Sequence, residues 1–146
     1  MLKPETILLV EDEALISMLL ERQLLNLGCS LVEKVSSGEA ALASAAIRRP
    51  DLVFMDIKIA TDIDGCKGAP QRIDAPNRKR VGSMTAARLL CQAHPGIRVA
   101  FMTAYGTPLL RAEAQTVNPL IFLEKPLSLS DLELVLGLYA RDQTRR

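Results

Sequence analysis

Asp56 ends the apolar run Leu52-Val53-Phe54-Met55, which follows Pro50-Asp51 and leads into a polar, Gly-containing stretch. Such a run marks a short strand covered on both faces. It delivers one carboxylate to the carboxyl edge of a parallel sheet, where open α/β folds place their ligands. A second run, Ile7-Leu8-Leu9-Val10, hands over to Glu11-Asp12-Glu13 in the same way, so Glu11, Asp12 and Asp56 are brought towards one spot. Carboxylates about 4 Å apart at an effective dielectric of about 20 repel by roughly 4 kcal/mol per pair. The cluster must therefore keep a proton or hold a cation. Oxygen ligands suit a hard ion, and Mg²⁺ is the usual choice where phosphate is also handled. Two further strand-like runs end on Thr103 and Lys125. A lysine beside a metal would compete with it, but a hydroxyl and an ammonium make sense if a phosphoryl group arrives. Thr103 can donate to one oxygen and Lys125 can neutralise another while the metal takes a third. Asp56 would then be the nucleophile and form an acyl phosphate.

The elements that position these residues alternate along the chain. Ile16, Leu20, Leu24 and Leu27 recur at helical spacing and Gly28 closes that helix. Cys29 to Val35 makes a weakly patterned edge strand, and Ser37 caps an Ala-rich helix from Gly38 to about Arg48. After Asp56, helical patterning returns at Met84 to Cys91, with Ser83 as its cap and Pro95-Gly96 as its stop. Ile97 to Met102 is the fourth strand. Thr107-Pro108 opens a short helix of roughly Leu109 to Thr116. Leu120 to Leu123 is the fifth strand, and Ser128-Leu129-Ser130-Asp131 has the form of a capping box ahead of a last helix carrying Leu132, Val135, Leu136 and Tyr139 on one face. Five strands alternating with five helices demand an α/β fold, a doubly wound parallel sheet with helices on both sides.

Composition bounds the rest. At 146 residues, 49% hydrophobic and 3% aromatic, the chain fits one domain with an aliphatic core. A net charge of +1, with no basic run interleaved with aromatics, argues against a nucleic-acid surface. The absence of a leader or a long apolar run argues against a membrane and places the protein in the cytosol. Cys29, Cys66 and Cys91 lack C-x-x-C spacing and read as free thiols, and His94, the only histidine, sits in a helix-ending signature and reads as an exposed turn residue, which argues against His-based general-base chemistry. Met18, Met55, Met84 and Met102 read as core gap-fillers, and Glu13 as helix N-terminal charge.

Five stretches taken in order resemble a response-regulator receiver domain of two-component signalling, CheY-like, over essentially the whole length. They are Ile7-Leu8-Leu9-Val10-Glu11-Asp12-Glu13, Asp51-Leu52-Val53-Phe54-Met55-Asp56, Asp62-Ile63-Asp64-Gly65, Met102-Thr103-Ala104-Tyr105 and Phe122-Leu123-Glu124-Lys125-Pro126. The resemblance implies a flavodoxin-like sheet in the order 2-1-3-4-5. It implies Asp56 as phospho-acceptor, Asp12 as direct Mg²⁺ ligand, Glu11 as an acid reaching the metal mainly through water, and the backbone carbonyl of Lys58 as a further ligand. Thr103 and Lys125 match the pair that grips the phosphoryl oxygens, the Lys125-Pro126 bond is expected to be cis, and Phe122 matches the switch aromatic. The implied output surface is the face of helix four, strand five and helix five, including Leu109 and Leu110. Lys58 and Tyr105, two residues after Asp56 and Thr103, match positions that tune phosphoryl lifetime, and both are bulky. The implied partners are a histidine kinase or phosphotransferase and a downstream protein.

The chain departs from that pattern after Asp64-Gly65. Residues 66–83, eighteen in all with two prolines, two glycines and five basic residues against one acid, read as a loop inserted beside the acceptor, with nothing to add to the core. The plain reading is a solvated excursion, which loop-closure entropy penalises little. The alternative is a basic flap headed by Arg78-Lys79-Arg80 that steers an acidic partner. Asp62 and Asp64 read as turn caps. One receiver over 1–141 is expected, with 142–146 a tail too short to hold an output module. Two other classes compete with the switch: a phosphorylation-independent docking module on the same fold, and a phosphohydrolase of the haloacid-dehalogenase type. The latter needs an Asp two residues after its nucleophile, where this chain has Lys58.

Overall fold

The computed structural model describes residues 2–57 and 81–145. Within them the strands are β1 (Thr6–Val10), β2 (Leu31–Val35), β3 (Leu52–Ile57), β4 (Arg98–Thr103) and β5 (Ile121–Glu124). The helices are α1 (Ala14–Asn26), α2 (Gly38–Ile47), α3 (Ser83–Ala93), α4 (Pro108–Gln115) and α5 (Leu129–Thr144). The strands form one parallel sheet in the order β2-β1-β3-β4-β5, as the resemblance implies.

Strand periodicity sorts the core into two layers. Leu8, Val10, Val53, Met55, Val99 and Phe101 pack with residues of α2, α3 and α4 on one face. Ile7, Leu9, Leu52, Phe54, Ala100 and Met102 pack with residues of α1 and α5 on the other. All six residues of β3 are buried, so an unbroken apolar run is what its position demands.

Local signals account for the ends of the elements. Gly28 takes φ +96° after α1, a conformation that favours glycine. The hydroxyls of Ser37 and Thr107 accept from the Ala40 and Leu110 N–H groups, and Ser128 and Asp131 make a reciprocal capping box.

Several sequence expectations need correction. The cap of α3 is Gly82, and Ser83 is its first helical residue. Val81, assigned to a loop with nothing for the core, packs against the α2–α3 layer, and its N–H donates to Glu39 Oε1. Met18 fills no gap: it is 56% exposed, because the buried stripe of α1 runs through Ser17, Leu20 and Leu24 and turns the next residue outward. Helix α5 continues to Thr144, past the boundary at 141, and Asp142 pairs with Arg98 at 3.0 Å, so the last turn is held to the start of β4. His94 is the half-buried C-cap residue of α3. Lys58, Asp62, Asp64, Cys66 and most of the insert lie outside the described residues.

Candidate phospho-acceptor site

Register brings the strand ends together. Val10 pairs with Met55, Asp56 with Met102, and Thr103 with both Ile57 and Glu124. Glu11, Asp56, Thr103 and Lys125 therefore meet on one rim, with Asp12 exposed beside them.

Glu11 is fixed from two sides. Its N–H donates to the Val35 carbonyl at the end of β2, and its Oε1 accepts from the Glu13 N–H at 3.1 Å. Its Oε2 faces the Lys125 ammonium at 2.7 Å, and the same ammonium stands 3.1 Å from Asp56 Oδ1. Lys125 thus bridges two buried carboxylates. The carbonyl of Thr103 accepts from the Lys125 N–H at 2.7 Å, and the Lys125-Pro126 bond is cis, as expected.

One ammonium does not neutralise the two buried carboxylates it touches. Asp56 is pushed up to about 7: burial penalises its carboxylate most, the neighbouring Glu11 adds repulsion, and Lys125 only partly offsets them. Burial also opposes the Lys125 charge, but the Glu11 and Asp56 carboxylates outweigh it, and the ammonium is held above its usual range. Asp56 Oδ2 is buried with no hydrogen-bond partner among the described residues. An oxygen in that condition is costly unless something meets it. One oxygen from each of Glu11, Asp12 and Asp56 lies within 4.8 Å of the others. A hard divalent cation fits this donor set, and its charge would remove the repulsion that raises Asp56.

The Thr103 hydroxyl is buried and donates to the Ile57 carbonyl at 3.1 Å, one residue past Asp56. It also accepts from the Tyr105 N–H. Tyr105 itself is 72% exposed. Phe122 is half-buried, tilted against Phe101 with 6.4 Å between ring centroids. On α4, Leu109 faces solvent but Leu110 is buried, so Leu110 belongs to the core and not to the surface proposed for it.

Residues 7–88 match the family model described as the response regulator receiver domain. The chain belongs to this family. Among its relatives is the transcriptional regulatory protein PdtaR of two Mycobacterium tuberculosis strains, 30% identical over 129 residues, or 88% of this chain and 53% of the relative. The chain thus spans about half the length of the curated relatives it matches. The receiver fold recurs in a CheY-like receiver from Methanospirillum hungatei (TM-score 0.76, 17% identity, 97% of this chain and 98% of the other). It recurs again in the receiver of a modulated diguanylate cyclase from Desulfovibrio desulfuricans (TM-score 0.74, 22% identity, 97% of each). No helix among the described residues of this receiver is long and apolar enough to cross a membrane.

The five residues that sequence reasoning placed at the rim, Glu11, Asp12, Asp56, Thr103 and Lys125, are brought together. It missed the direct Lys125–Glu11 pair and the side chains around Phe122. Arg111 lies over the Phe122 ring at 4.7 Å and pairs with Glu124 at 2.7 Å.

Proposed function

We propose that this receiver takes a phosphoryl group from a phosphohistidine of a sensor kinase or phosphotransferase onto Asp56. An Asp56 oxygen attacks phosphorus, the phosphorus–nitrogen bond breaks, and its electron pair stays with the imidazole. Glu11, Asp12 and Asp56, with the backbone carbonyl of Lys58, would hold Mg²⁺, which supplies positive charge to the phosphoryl oxygens. Lys125 already lies against the acceptor and neutralises a further oxygen. Thr103 exchanges its bond to the Ile57 carbonyl for one to the phosphoryl group.

The observation that carries this reading is the bridging ammonium. Lys125 spans Glu11 and Asp56 while the second Asp56 oxygen is buried with no hydrogen-bond partner among the described residues, and we take that oxygen as the nucleophile. Movement of Thr103 and Phe122 then reshapes the face of α4, β5 and α5, where Leu109 and Leu134 are exposed, for a protein partner. In this role the protein is a switch whose only chemistry is on its own aspartate. Lys58 and Tyr105 shield the acyl phosphate from water, Tyr105 by folding its exposed ring back over the rim. A phosphorylated form lasting only seconds would count against that shielding.

The test is incubation with Mg²⁺ and acetyl phosphate, or with beryllofluoride as a phosphoryl mimic, beside Asp56→Asn. Uptake confined to the unaltered protein supports the switch. Structural integrity without uptake favours the docking module, and steady turnover of small phosphate esters favours the hydrolase.

A further inference from the structure

Building on the reading of Asp56 as phospho-acceptor, we infer that Arg111, Glu124 and Gly106 form a latch over Phe122 that resists phosphorylation of Asp56. Arg111 leaves the first half of α4 with its Cζ 4.7 Å from the centre of the Phe122 ring, a cation–π distance. Its Nη2 lies 2.7 Å from Glu124 Oε1. Phe122 and Glu124 are two residues apart on β5 and so share a side of the strand. Lys125 follows immediately and reaches the acidic pocket. Adjacent residues thus carry the latch and the lysine that touches the acceptor.

Gly106 is the third part. A Cβ there would fall 2.7 Å from Glu124 Oε1, 3.1 Å from Arg111 Nη2 and 3.2 Å from Phe122 Cε1. A side chain at this residue would push the ends of Glu124 and Arg111 out of their present places, so the bare backbone lets the segment after β4 lie against the latch as it stands. Gly106 is three residues from Thr103, whose hydroxyl is bonded to the Ile57 carbonyl. For Thr103 to grip a phosphoryl group that bond must break, and the segment Thr103-Ala104-Tyr105-Gly106 must shift against the three side chains stacked on its far end. The latch and the phosphoryl group therefore favour different arrangements of one segment, which is the condition for coupling two sites. Arg111 is a positioning residue that acts through Phe122 and Gly106.

The measurement is beryllofluoride affinity in Mg²⁺ for the full chain and for Arg111→Ala, Glu124→Gln and Gly106→Ala, with fluorine-labelled phenylalanine reporting the ring. The chain has three phenylalanines, so Phe122→Leu assigns the signal. Both latch contacts are exposed and individually weak, so each variant is expected to bind about 3- to 10-fold tighter and to move the Phe122 resonance before beryllofluoride is added. The Arg111→Ala/Glu124→Gln double variant is expected to gain no more than one single change, since both break the same contact. Affinities within twofold of the unaltered protein in all three variants, or weaker binding, would overturn the latch. Failure of the unaltered protein to bind beryllofluoride would instead overturn the phospho-acceptor reading on which it rests.

Discussion

Among the described residues, three ion pairs close to 2.7 Å: Lys125–Glu11 in the acidic pocket, and Arg111–Glu124 and Arg88–Glu113 on either side of α4. Their side chains are 13% and 0% exposed in the pocket but 45% and 57% exposed at Arg111–Glu124. Equal length does not mean equal worth. Removing one partner from a buried pair strands a charge that cannot reach water, whereas an exposed pair is replaced by solvent at little cost. The pocket is therefore built to be fixed and the α4 face to be shifted. The switch proposed above would need both, a rigid place for chemistry and a cheap element to move.

The sharpest way to break this comparison is to remove the proposed acceptor. Asp56→Asn is expected to lose Mg²⁺-dependent labelling from acetyl phosphate by more than about 100-fold, and chelating Mg²⁺ is expected to do the same to the unaltered protein. Residual labelling at near-normal rates would place the acceptor elsewhere. Next in size is Lys125→Met, which leaves Glu11 and Asp56 facing each other without a cation. Urea unfolding at pH 8 in chelator is expected to show a loss of about 3 kcal/mol, in the range for a broken buried pair, with part regained in Mg²⁺. A loss below about 1 kcal/mol would show that the pocket is as well solvated as the surface.

Acidity gives a third test. Because the folded protein raises Asp56 from 3.8 to about 7, it holds that proton more tightly than the unfolded chain does. Metal-free stability is therefore expected to be greatest below about pH 4, to fall as pH rises towards 7, and to level off beyond, as far as this group is concerned. The raised Lys125 contributes throughout that window and loses its effect only in strongly alkaline solution. The decline should vanish in Asp56→Asn and shrink in Mg²⁺; an unchanged decline in the variant would assign it to another group. The smallest effects belong to α4, where Arg88→Ala and Arg111→Ala are each expected to lower stability by less than about 1 kcal/mol in the same urea assay. A larger loss from either would erase the contrast between the two regions.

How much of this was legible in the linear chain depended on burial. Runs such as Leu52 to Met55 and Ile7 to Val10 announce strands because both faces of the sheet are covered, and their polar terminators Asp12, Asp56, Thr103 and Lys125 then stand out. The Phe122 environment was not legible: Arg111, Glu124 and Gly106 lie on three separate elements, and exposed charges carry no periodic signal that pairs one with another. Phase errors arose where a helix is short or its stripe narrow. Leu109 and Leu110 are adjacent on an eight-residue helix, and only the Thr107 cap, together with the Leu110–Ala114 spacing, shows which one faces inward. Composition misled at Val81, since a single apolar residue beside Gly82 looks like loop until α2 is seen packed against it.

Gly38, at the start of α2, bears on how this chain accommodates its insert. A Cβ there would fall 2.5 Å from the Val81 carbonyl and 3.1 Å from the Ala86 Cβ, so the chain entering α3 is seated directly on α2. Ile57, paired with Thr103, fixes the other end of the intervening stretch. With both attachment points set by the scaffold, doubling the number of residues between them would cost only about 0.6 kcal/mol of closure entropy. The stretch that follows Asp56 can thus be lengthened or trimmed at little cost while the sheet stays unaltered.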